Sequence, residues 1–134
     1  MKRNIVAVVL LLGLSIIMVS CNKDSSGGSL TGLWLSSDYE YYLNGSIQTH
    51  TAEADILYGH ENATIRFIDG TSGTFNGQAE FTFTKNGNTI TISCPRSSKI
   101  NGSKLEIMGG NKLRWLRYFD NSDDDYTNVI FQKQ

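Results

Sequence analysis

Two histidines, two cysteines, one acidic run and one arginine set among aromatics are the residues of this 134-residue chain with chemistry to offer. His50 and His60 have no second histidine or cysteine at ligand spacing, so neither belongs to a zinc pattern. His60, in Tyr58-Gly59-His60-Glu61-Asn62, reads as an exposed loop residue. Cys94 shares the parity of Ile90 and Ile92, which turns it inward as a small hydrophobe rather than a nucleophile with a base in reach. The run from Asp120 to Asp125 has oxygen ligands for Ca²⁺, but it lacks the spaced acids, central Gly and terminal Glu of an EF-hand loop. It reads as a solvated hairpin tip that discourages edge pairing. No base–nucleophile pair and no carboxylate pair stands out, so the expectation is a protein that is not an enzyme, with no cofactor and no metal.

The segment from Lys112 to Phe119 is the richest. On a strand, Leu113, Trp115, Arg117 and Phe119 share one face and Arg114, Leu116 and Tyr118 the other. If Trp115 points inward, Arg117 follows it, and a charge among aromatics must be paired or wet. Arg117 then either meets an anionic ligand at the mouth of the fold or pairs with a nearby acid such as Asp38 or Glu40. Trp115, Arg117 and Tyr39 are therefore the candidate ligand-binding residues. Tyr41 and Tyr42 add aromatic surface of undecided facing.

These residues must be held by strands. Turn signals recur at Asn44-Gly45, Asp69-Gly70, Asn86-Gly87, Asn101-Gly102, Gly109-Gly110-Asn111 and Asn121-Ser122-Asp123. Asn-Gly and Asp-Gly supply the positive φ of tight hairpins. Between them apolar residues alternate with polar ones, as in Phe81 and Phe83, Ile90 and Ile92, Leu105 and Ile107. That period gives one wet face and one buried face. Eight strands are predicted, over about 32–43, 47–57, 63–68, 79–84, 89–94, 103–108, 112–119 and 126–133. Hairpins in series make an antiparallel meander, and closure into an eight-stranded up-and-down barrel removes the exposed edges. The same strands would also build a two-sheet β-sandwich.

The first twenty residues stand apart from this domain. Met1 to Asn4 is short and basic, Ile5 to Val19 is apolar or small throughout, and Ser20 precedes Cys21. This is the layout of a secretory signal, and its apolar stretch is short for a membrane-spanning helix. Residues 22–29, NKDSSGGS, read as a flexible tether, which leaves residues 30–134 as the folded domain. The whole chain has 12 basic and 13 acidic residues. Without Lys2 and Arg3 the acids lead by three, and no basic stripe suggests nucleic acid as a partner.

Two resemblances follow from these residues. Met18-Val19-Ser20-Cys21 resembles the lipobox of bacterial lipoproteins, with Met18 in place of the usual Leu. The resemblance implies acylation of Cys21, a membrane partner reached through that anchor, and a place in the cell envelope, at the outer membrane. Gly32-Leu33-Trp34 resembles the lipocalin Gly-x-Trp signature, and the segments from Ile65 to Thr71 and from Asn86 to Ile92 look like the small lipocalin-like lipoproteins of Gram-negative bacteria. This implies a barrel with Gly32 and Trp34 at its floor. It also implies one of two functions: holding a small apolar or amphipathic ligand inside, or meeting another protein through a barrel plugged by its own side chains. The last strand has no Arg to stack on Trp34, and Lys133 is the substitute on offer. On this reading Trp115 lies nearer the wet end than Trp34 and contributes less to stability.

Overall fold

The computed structural model describes residues 29–48 and 62–134. The expected export signal, Cys21, the expected tether up to Gly28, His50 and His60 lie outside the described residues. The described residues contain no helix and form nine strands: β1 (Gly32–Leu43), β2 (Ser46–Gln48), β3 (Thr64–Phe67), β4 (Ser72–Phe75), β5 (Ala79–Asn86), β6 (Thr89–Ser93), β7 (Lys104–Gly109), β8 (Lys112–Ser122) and β9 (Asp125–Lys133). Every pairing is antiparallel. The ring runs β1-β3-β4-β5-β6-β7-β8-β9, and β9 pairs back onto β1 from Trp34↔Lys133 to Leu43↔Asp125. That last pairing closes an eight-stranded up-and-down barrel of lipocalin-like architecture and excludes the sandwich.

The ring differs from the predicted one in a single member. At the start of the predicted strand 47–57, Ser46–Gln48 pairs with the far end of β1 as an extra strand, and residues 49–61 are not described. The eighth place is filled by β4, which the alternation did not reveal. Its inward positions are Gly73 and Phe75. A Cβ on Gly73 would lie 2.5 Å from the Phe81 ring and 2.6 Å from the Arg66 carbonyl oxygen. The glycine is the hole that Phe81 fills, so the apolar group for this position is carried by the neighbouring strand. The β4–β5 turn is Asn76-Gly77, both at positive φ, and that dipeptide was the available signal.

The core is built from the inward face of all eight strands. Ile65, Phe67, Phe75, Phe81, Phe83, Ile90, Ile92, Leu105, Leu113, Trp115, Val129 and Phe131 are buried in one cluster, with Trp34 and Cys94. Cys94 is an unpaired thiol that donates to the Glu80 carbonyl oxygen at 3.3 Å. Strand β1 keeps its apolar side inward by means of a bulge between Ser36 and Asp38. The extra residue, Ser37, shifts the parity so that Tyr39 follows Trp34 to the inside while Glu40 and Tyr42 face out.

Candidate functional site

Trp34 stands where the chain enters the barrel. Its indole N–H donates to the Leu30 carbonyl oxygen at 2.8 Å, its ring meets Phe67 edge-on, and the Lys133 ammonium lies 5.8 Å from its centroid. The same ammonium donates to the Ser29 carbonyl oxygen. Gly32 is at φ 129°, a conformation that side chains disfavour, and a Cβ there would meet the aliphatic end of Lys133 at 3.2 Å. The entry is thus closed by a glycine, an indole and a lysine from the opposite terminus.

Tyr39 and Trp115 face the same side of the sheet, with Val129 between them. Both pair with Val129, one from each side, so one inward row runs Ile90, Leu105, Trp115, Val129, Tyr39. Trp115 is only 2% exposed, against 3% for Trp34, which corrects its expected place near the wet end. Its ring lies 5.2 Å from Phe75, 5.3 Å from Tyr118 and 6.0 Å from Phe131. The contact with Phe75 matters most. Strands β4 and β8 face each other across the ring, so rings from opposite walls touch at the barrel centre.

Arg117 does not join them. Between Trp115↔Val129 and Phe119↔Thr127, β8 spends three residues where β9 spends one. This bulge cancels the simple alternation. Tyr118 turns into the core, and Arg117, at φ 52°, turns outward. The Asn128 side-chain oxygen accepts the Arg117 backbone N–H at 2.8 Å and holds the bulge in place. Outside, the guanidinium lies 4.2 Å over the Tyr126 ring, donates to Asp120 at 2.8 Å, and donates to the Ser122 and Asp123 carbonyl oxygens. Its acid is therefore Asp120, not Asp38 or Glu40. Tyr42 stacks on Tyr126 at 4.7 Å and extends the pile.

Glu40 is held by a different arginine. Arg114 reaches across β9 to Glu40 at 2.7 Å and sideways to Glu106 at 2.9 Å, while Asn128 donates to Glu40 at 3.2 Å. The two carboxylates hold the Arg114 guanidinium well above its ordinary range, Glu40 contributing most through its hydrogen bond. This bracket ties four strands together on the outer wall. Sequence reading missed it because the three charges meet only once β1, β7 and β8 are in register. The acidic run spans the β8–β9 turn, where Asp124 contributes its carbonyl oxygen to the Gly45 N–H. Among the described residues no group of three or more His, Cys, Asp or Glu could hold a metal ion. Searches against known protein families, curated proteins and solved structures found no match for this chain.

Proposed function

We propose that the protein is an envelope lipoprotein, anchored through acylated Cys21 at the outer membrane, whose lipocalin-like barrel is plugged by its own rings and which meets its partner through its outer surface. The observation that supports a plugged barrel over a carrier is the Phe75–Trp115 contact at 5.2 Å between opposite walls. An eight-stranded barrel has room for side chains or for one small ligand, not for both at one level. Tyr39 and Trp115, the residues proposed from sequence to touch an apolar ligand, are packed in that interior, and Arg117 is engaged outside it. The anchor rests on the signal-like start and on Met18-Val19-Ser20-Cys21.

Native mass spectrometry of freshly purified protein separates the two functions. The expected spectrum is the bare protein, with partners recovered by crosslinking in cells. A co-purified apolar molecule that slows fluorescence quenching of Trp115 would make the protein a carrier. The anchor is tested by itself. Wild type is expected to take up radiolabelled fatty acid and to fractionate with membranes, and Cys21→Ser to do neither. An unlabelled, soluble wild type ends the lipoprotein reading.

A further inference from the structure

We propose that a groove on the outer wall beside the β8 bulge binds a phosphate monoester, with Lys99 and Lys104 as the groups that hold it. The groove lies between the β6–β7 connection, the start of β7, the bulge and the start of β9, and its volume is about 660 Å³. That is within the usual span of small-ligand sites. Lys99, Lys104 and Arg117 line it against a single acid, Asp120. Asp120 is already bound to Arg117 at 2.8 Å, and the rest of that guanidinium is taken by two backbone carbonyls. The groove is left with two positive charges, both lysines, in a chain whose acids outnumber its bases. Neither lysine is paired with a carboxylate of a described residue.

Two features make these lysines more than scattered surface charge. The Lys99 ammonium lies 5.4 Å from the Tyr118 ring, an attraction that holds it at the groove. Ser103 and Asn101 line the same groove. The Asn101 side-chain oxygen accepts the Cys94 N–H at 2.9 Å, which fixes the amide and leaves its nitrogen as a donor. The chemistry of lysine sets the ligand class. An ammonium is a compact point charge with three rotatable donors, so it selects for charge rather than for the planar fork that arginine prefers. Two such charges match a phosphate monoester, which carries about −1.5 to −2 at neutral pH. The remaining volume takes the organic part of the ester. This site is independent of the anchor and of the plugged interior.

Amide shifts of the purified protein titrated with glucose 6-phosphate, and with glucose as the uncharged control, test the proposal. Saturable shifts are expected at residues 99–104 and 116–118 with the phosphate and not with glucose. Lys99→Ala and Lys104→Ala should each weaken binding roughly tenfold. Lys112→Ala removes the same charge outside the groove and should leave binding unchanged. Capture by phosphatidic acid vesicles that is lost in the two groove variants assigns the phosphate to a lipid headgroup. Titration by glucose 6-phosphate without vesicle capture assigns it to a soluble molecule. Shifts that never saturate, shifts as large around Lys112, or equal weakening by Lys112→Ala would overturn the site.

Discussion

The barrel body and its extension are held by opposite kinds of contact. In the body, the inward rows of β3 to β9 are rings and branched aliphatics with no charge among them. Beyond the start of β7, β1, β2, β8 and β9 alone continue among the described residues, and there the outward face carries the structure. Tyr42, Tyr126 and Arg117 stack in that order, and Arg117 clamps the β8–β9 turn. Burial of apolar area scales with the surface removed from water, and the body removes most of it. A stacked cation at the surface contributes far less. The body should therefore set global stability, and the extension should set the local order of the end of the barrel next to the lysine groove.

The largest effect that could break this contrast is at the barrel centre. Trp115→Ala should cost about 3–5 kcal/mol, because it removes a ring packed against Phe75, Tyr118 and Phe131 with no water to replace it. Trp34→Ala should cost no more, since Lys133 and the Leu30 backbone at the entry can relax around the loss. This reverses the order expected from sequence. Urea unfolding of the two variants measures it, and a clearly larger loss at Trp34 would place the tightest packing at the entry instead of the centre.

Gly73→Ala comes next, at about 1–3 kcal/mol, the usual cost of overpacking. The added methyl meets the Phe81 ring and the Arg66 carbonyl oxygen together, and the second of these is backbone. A neutral result would mean that Phe81 does not lie over Gly73. The same residue explains how far the sequence could be read. Period-two alternation located the other strands of the ring because each carries its own apolar side chains. It failed at β4, where a glycine stands in for a hole. It failed again at Arg117, because a bulge has no signature in the alternation it interrupts. The Arg114 bracket was illegible for a different reason, since pairing across four strands depends on register. Trp34 was legible as a buried ring at the barrel entry, whereas Trp115 and Tyr39 were legible as aromatic positions but not in their depth.

Arg117→Ala tests the extension. The side chain is 39% exposed, so its ion pair with Asp120 is screened and the global loss should stay near or below about 1 kcal/mol. In Arg117→Gly part of that loss is offset, since glycine relieves the strain at φ 52° and alanine does not. Arg117→Gly should then fall closer to wild type in the denaturant midpoint. Both variants should speed hydrogen exchange in the β8–β9 turn and leave the amides of β5 and β6 as protected as before. Faster exchange throughout the barrel would mean that body and extension open as one unit.

The smallest effect sharpens the contrast from the body's own wet side. Asp69 sits in the β3–β4 turn, and its carboxylate accepts the backbone N–H groups of Thr71 and Ser72, each at 2.7 Å, and the Thr71 hydroxyl at 3.1 Å. The Thr71 N–H does most to lower its pKa, and the bonds from Ser72 add to it. The folded pKa therefore lies below the unfolded value of about 3.9. For a carboxylate shifted this way, the stabilisation is fully present above the unfolded pKa and is lost as pH falls through the folded one. Wild type should exceed Asp69→Ala in denaturant midpoint at neutral pH, and the gap should narrow only below about pH 4. The group is fully exposed, so the gap is small at any pH. A gap that closes between neutrality and pH 5 would assign the effect to another titrating group. A gap that survives to the lowest pH at which the barrel stays folded would make Asp69 a packing residue, and the turn leading into β4 would then be held as the body is, by contact rather than by charge.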